Sequence, residues 1–207
     1  MTAILYSFRR CPYAMRARLA LVLAEQQVGL REVVLRDKPA HMIEVSPKAT
    51  VPVLIAGDQV IDESLDVMLW ALGQNDPHGL LDMPDEGHAL IAQNDGPFKA
   101  ALDRTKYGTR YPDCDPMEER AKAKAILMTL EPRLAGGWLF GDAPKLADYA
   151  ILPFIRQFAN SDRAWFDAQD WPHLRAWLDH FLDSALFDGI MRKYPKWEDG
   201  TPEVPFP

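Results

Sequence analysis

Residues 3 to 25, Ala-Ile-Leu-Tyr-Ser-Phe-Arg-Arg-Cys-Pro-Tyr-Ala-Met-Arg-Ala-Arg-Leu-Ala-Leu-Val-Leu-Ala-Glu, decide the fold of this chain. Ala3 to Phe8 is a short apolar run that reads as a strand. Met15, Leu19, Val22 and Leu23 then recur at helical spacing. Between the two sits Cys11-Pro12-Tyr13-Ala14, at the corner where strand becomes helix. Pro12 suits the first helical position, because its φ is already helical and its missing N–H would have had no partner there. Cys11 therefore lies where unpaired amides and the positive helix pole favour an anion, which lowers a thiol's pKa below its ordinary value of about 8.5. Arg9, Arg10, Arg16 and Arg18 add positive potential, with Arg16 and Arg18 expected as solvent-facing helix charges.

Working outward, Gly29 is expected to end the helix, and Arg31 to Leu35 reads as a second strand. Strand-helix-strand order implies a right-handed parallel crossover. A loop through Asp37 and Pro39 precedes a short helix near His41 to Val45. Val53 to Ala56 and Gln59 to Ile61 flank Gly57-Asp58, a two-residue hairpin signal. Leu65, Met68, Leu69 and Leu72 then follow the helical period. The resulting order is β-α-β-α-β-β-α over residues 1–75. Pro77, Gly79 and Pro84 mark residues 76–84 as a linker.

Residues 85–207 turn helical. Asp115-Pro116 starts a helix whose core face is Ala123, Ile126, Leu127, Leu130 and Leu134. Ala150, Ile151, Phe154, Ile155 and Phe158 form a second stripe, with Pro153 expected to kink it. Leu174, Trp177, Leu178, Phe181 and Leu182 form a third. From Pro195 onward four prolines predict an extended tail.

Composition narrows the function. With 207 residues, 48% of them hydrophobic, the chain is ordinary globular material. Its formal charge of -7 argues against general nucleic-acid binding. No apolar run approaches the roughly 20 residues needed to cross a bilayer, so no membrane association is expected. The start lacks a secretory-signal pattern, which predicts a cytoplasmic protein. Two cysteines, Cys11 and Cys114, make no disulfide framework. Asp113 and Asp115 flank Cys114 and disfavour its thiolate. The histidines show no metal-finger spacing, so no metal is expected.

An α/β domain with Cys-Pro-Tyr at its first corner and Val51-Pro52-Val53-Leu54 downstream resembles the thioredoxin-like domain of glutaredoxins and glutathione transferases. With the all-α second half, nearly the whole chain resembles the glutathione transferase superfamily. Within it, Cys11-Pro12-Tyr13-Ala14, Leu35-Arg36-Asp37-Lys38-Pro39, Ser46-Pro47 and Glu63-Ser64 are similar to the cysteine-type, omega-like group. The resemblance implies an α/β thioredoxin-like N-terminal domain, an all-α C-terminal domain, glutathione as co-substrate and a homodimer. It places Val51, before a cis Pro52, to pair with the ligand's cysteine backbone. Glu63 and Ser64 would take the γ-glutamyl end, and Lys38 the glycyl carboxylate.

Cys11 is the expected catalytic residue. It would form a mixed disulfide with glutathione in thiol transfer, and Ala14 rules out an internal dithiol. Two alternatives stay open. One is conjugation of glutathione to an electrophile, with Tyr6 or Ser7 as hydroxyl donor; the other is a non-catalytic interaction protein. Tyr107, Tyr111, Phe98 and Trp165 are candidates for a hydrophobic substrate pocket between the domains. Two positions depart from the omega-like pattern. Arg10 stands where that group often has an aromatic residue, and Lys145 stands where its helix-start box has Ser or Thr ahead of Asp148.

Overall fold

The computed structural model describes residues 2–207. Strands β1 (Ile4–Ser7), β2 (Val28–Glu32), β3 (Val53–Ala56) and β4 (Gln59–Ile61) alternate with helices α1 (Pro12–Leu23), α2 (Ala40–Val45) and α3 (Ser64–Gln74) in the order expected from the sequence. β1 pairs parallel with β2, placing Leu5 beside Leu30, and antiparallel with β3, placing Leu5 beside Leu54. β3 and β4 close a hairpin across Gly57, whose φ of 63° is the left-handed conformation that glycine tolerates.

The second strand starts earlier than the apolar run Val33 to Leu35 suggested. α1 ends at Leu23, the chain turns at Glu25 with φ 55°, and Gly29 lies inside β2 instead of capping the helix. Its reason is a strand the periodicity did not reveal. β5 (Val204–Phe206), from the proline-rich tail, pairs antiparallel with β2 and completes a sheet of order β4-β3-β1-β2-β5. A Cβ on Gly29 would lie 2.8 Å from the Cβ of Glu203, so only glycine lets the tail approach. Gly29→Ala is expected to cost about 1–3 kcal/mol, read as a lower midpoint in urea unfolding.

The boundary between the compact units falls at Gly79–Leu80, within residues 76–84, but residues 183–207 join the first unit. One comprises residues 2–79 with 183–207, and the other Leu80–Leu182. In the first unit α1 packs against α3 and against α10 (Ala185–Ile190). Enclosed on several sides, α1 buries Arg16 and Arg18 completely, which corrects the expectation that they face solvent. Burial is tolerated because each finds partners. Arg18 donates to Ser7 Oγ (2.8 Å), to the Ile190 carbonyl (2.9 Å) and to Glu32. On the opposite sheet face, Met42 of α2 joins Tyr6, Val33, Val51, Val53 and Trp197 in one apolar cluster.

The second unit is helical: α4 (Asp85–Gln93), α5 (Lys99–Lys106), α6 (Pro116–Leu130), α7 (Leu146–Ala159), α8 (Arg163–Asp167) and α9 (Pro172–Leu182). A π-helical turn, Asn94–Phe98, joins α4 to α5 and accommodates Pro97, which has no N–H to donate. Asp115 caps α6 by accepting from the Met117 amide at 2.8 Å. α7 runs as a single helix through Pro153. At its start Lys145 supplies no side-chain acceptor, but Asp148 Oδ2 accepts from the Lys145 amide at 2.8 Å, leaving half a capping box. Asp148 Oδ1 also takes the Leu139 amide (3.0 Å) and Trp177 Nε1 (3.1 Å). Phe98 is buried in this unit, edge-on to Phe158, so it belongs to the core. Trp165 instead lines an open groove of about 380 Å³ with Met117 and Phe158, its ring stacked by Arg120 at 4.4 Å.

Candidate active site

β1 ends at Ser7, and four residues later Cys11 forms the N-cap of α1. Its amide donates to the Phe8 carbonyl at 2.9 Å, and its own carbonyl accepts from Met15 at 2.9 Å. The cysteine is thereby locked at the positive end of a twelve-residue helix. Its half-buried Sγ points at the carbonyl of Val51, 3.8 Å away. Val51 is buried, and its bond to Pro52 is cis. The thiol and the backbone edge that resemblance assigned to a ligand cysteine are therefore neighbours.

Ser64 opens α3 and lies under the same corner, connected to α1 by Arg16 Nη1 at 3.4 Å from Ser64 Oγ. Glu63 is the backbone cap of α3, its carbonyl accepting from Val67 at 3.0 Å. Its side chain is exposed and pairs with Lys48 at 2.6 Å. Lys48 also reaches Asp62 Oδ1 at 3.0 Å, and Ser46 Oγ donates to Asp62 Oδ2 at 2.7 Å. The hydrogen bond to Glu63, then that to Asp62, holds the Lys48 ammonium above its ordinary pKa. Donation from Ser46, then Lys48, holds Asp62 below the usual carboxylate range. Lys38 is half-buried on the segment between β2 and α2, and no hydrogen bond joins it to these groups.

Sequence reasoning missed Lys48, Asp62, the bond from Ser46 to Asp62 and the inward course of Arg16. The acidic doublet Asp62-Glu63 was visible. Its cation lies 14 and 15 residues away, on the other side of the β3–β4 hairpin, where no helical or strand period relates them.

The two hydroxyls considered for direct activation of glutathione are otherwise engaged. Tyr6 is fully buried; its hydroxyl accepts from Arg31 and shares a 2.8 Å hydrogen bond with His41 Nδ1. Burial raises its pKa, with Arg31 opposing. Ser7 Oγ, also buried, accepts from Arg18. Among the described residues no cluster of His, Cys, Asp and Glu suited to a metal ion occurs, and no helix is long and apolar enough to cross a membrane.

A strand-to-helix cysteine beside a proline-backed chain edge, on a βαβαββα unit that precedes a helical one, defines a thioredoxin-fold thiol protein with an appended helical domain. Residues 5–79 match the family model for the glutathione S-transferase N-terminal domain, and residues 96–180 match that for its C-terminal domain. The chain belongs to the glutathione transferase superfamily. Among solved structures it is similar to a glutathione transferase family member from Pseudomonas fluorescens with two glutathione bound. That similarity has a TM-score of 0.78 and 19% identity, covering 92% of each chain. It is likewise similar to glutathione transferase Omega 3C from Trametes versicolor, with TM-score 0.77, 18% identity and coverage of 96% of this chain and 87% of that one. Glutathione S-transferase-I bound with lactoylglutathione is similar at TM-score 0.73 and 22% identity, over 92% and 99% of the two chains. A probable glutathione transferase from Aplysia californica is 39% identical over 57 residues, which are 28% of this chain and 62% of that relative's length. The chain thus spans less than two thirds of that curated relative.

Proposed function

We propose that this protein is a cysteine-type glutathione transferase that carries out glutathione-dependent thiol transfer, with Cys11 as nucleophile. The observation that carries the reading is the 3.8 Å approach of Cys11 Sγ to the Val51 carbonyl at the start of α1. A glutathione whose cysteine pairs with the Val51 backbone presents its sulfur to Cys11. Ser64 at the α3 N-terminus suits the γ-glutamyl carboxylate, and Glu63 its amine, with Lys48 and Asp62 fixing the Glu63 side chain. Lys38 serves the glycyl carboxylate. Glutathione and lactoylglutathione in the similar structures support this ligand class.

In the reaction, the Cys11 thiolate attacks the glutathione sulfur of a glutathionylated disulfide. The Cys11–glutathione bond forms as the original S–S bond breaks, and the partner leaves as a thiolate that takes a proton from solvent. A second glutathione thiolate then attacks the mixed disulfide, releasing oxidised glutathione and the Cys11 thiolate. Conjugation through Tyr6 or Ser7 is disfavoured, because both hydroxyls are buried and already bonded. A cytoplasmic homodimer completes the proposal. Exposure of the purified protein to oxidised glutathione is expected to add one glutathionyl group, seen by intact mass, that maps to Cys11 and is removed by reduced glutathione. Mapping to Cys114, or no adduct, overturns the reading.

A further inference from the structure

α2 and the segment before it connect β2, which ends at Glu32, to Val51, and both ends of this connection are tied down. On the C-terminal side the ties are Ser46 and Lys48 to Asp62 and Glu63. On the N-terminal side they come from the last residues of the chain. Lys196 pairs with Asp37, the residue before Lys38. The Trp197 amide donates to the Glu32 carbonyl at 2.8 Å, a second backbone tie to the end of β2 that is separate from the β5 pairing. The buried Trp197 ring is stacked by the Arg31 guanidinium at 4.0 Å and meets Tyr6 edge-on at 6.0 Å. Tyr6 in turn bonds His41 in the first turn of α2. Arg31 is itself held by Glu203, through Nη2 at 2.5 Å. Trp197 also shares its apolar cluster with Met42 and Val51, and Cys11 packs against that cluster.

We infer that Trp197 and Lys196 are positioning residues for glutathione, strapping the Lys38-bearing segment and α2 into the binding arrangement. The inference rests on the assignment of Lys38, Val51 and Cys11 to the glutathione site. Six residues are too few for a helix to hold itself in water, so the place of α2 is set by what it touches. Releasing the strap lets α2 populate arrangements that do not bind, and apparent affinity falls in proportion to the competent fraction. Cys11 keeps its place at the head of α1, because its N-cap backbone bonds lie within residues 8–15 and do not involve the tail, although its side chain borders the Trp197 cluster. Lys196–Asp37 is a surface ion pair of small value to global stability, so its removal separates positioning from folding.

The test uses the full chain and three variants, Trp197→Ala, Trp197→Phe and Lys196→Ala, titrated with reduced glutathione by calorimetry, assayed for turnover and followed by hydrogen exchange. Trp197→Ala is expected to raise Kd and KM for glutathione about tenfold and to leave kcat within about twofold. Lys196→Ala raises Kd about threefold, and Trp197→Phe, which keeps an aromatic edge against Tyr6, restores most of the loss. Without ligand, amides of residues 34–48 exchange about tenfold faster in Trp197→Ala while β3 and β4 are unchanged. Unaltered Kd in both Trp197→Ala and Lys196→Ala overturns the inference, as does exchange that quickens uniformly through the first unit. If Trp197→Ala does not fold, Trp197→Phe and Lys196→Ala decide. A wild-type protein that does not bind glutathione overturns the functional assignment instead, and faster exchange confined to residues 34–48 would then still show the strap acting on α2.

Discussion

Cys11→Ala is expected to lose glutathione-dependent disulfide reduction by about 1000-fold or more in kcat/KM, while glutathione affinity stays within about twofold. The two parameters separate because, in the proposed mechanism, Cys11 contributes a reacting atom, whereas Val51, Glu63, Ser64 and Lys38 are assigned the binding contacts. Alanine keeps the backbone bonds by which residue 11 caps α1, since the Phe8 and Met15 partners are main-chain groups. The variant should therefore fold with unchanged thermal stability, and its melting curve is the control. Cys114→Ala should retain full activity. Reduction that survives in Cys11→Ala overturns the mechanism. Conjugation of glutathione to an electrophilic aromatic halide that survives at wild-type rate would point to a hydroxyl activator.

Asp148→Ala is expected to destabilise the fold by about 3–5 kcal/mol, lowering Tm by roughly 10 °C. The buried carboxylate accepts from Leu139, Lys145 and Trp177, and truncation leaves those donors without it. Burial pushes the Asp148 pKa from 3.8 up to about 6, against the lowering effect of these hydrogen bonds. The folded group thus holds its proton more tightly than the unfolded one. Between about pH 4 and 6 the native state binds more protons, so this residue's contribution to stability falls as pH rises through that window and levels off above it. Its amplitude is about 3 kcal/mol. Asp148→Asn retains an oxygen for Leu139 and Trp177 but turns an amide toward the Lys145 N–H. It should be less stable than wild type by about 1–2 kcal/mol at pH 5, with that pH slope removed. Urea unfolding of both proteins from pH 4 to 7 measures this; parallel profiles refute the assignment.

The legible parts of this protein were those whose signals lie close together along the chain. β1, α1, the β3–β4 hairpin and α3 each announce themselves within about a dozen residues through a period, a turn dipeptide or a helix-starting proline. Cys11 was legible for the same reason, since its corner is local. Residue 10 illustrates the limit. Arg10 reads as a source of positive potential, and in the fold its guanidinium lies 5.4 Å from the Phe8 ring centroid. Arg16 and Arg18 read as surface charges because a helix with charges at those positions normally exposes one face. Here the packing of α3 and α10 against α1 removed the solvent side, and Ser7, Glu32, Ile190 and Ser64 supplied the hydrogen bonds.

By itself the sequence determined the βαβαββα order followed by helices, the placement of a cysteine at the head of α1 and the exclusion of a second cysteine in Cys11-Pro12-Tyr13-Ala14. Local periodicity and helix-terminus electrostatics suffice for these. Only the tertiary structure decided that the tail forms β5 beside β2, that Gly29 serves a strand instead of a helix end, and that Trp197 and Lys196 brace α2. Edge pairing uses backbone groups common to every residue, so a strand's partner leaves little trace in its own side chains. An ion pair such as Lys48 with Asp62 and Glu63 likewise depends on a meeting of segments that no single segment encodes.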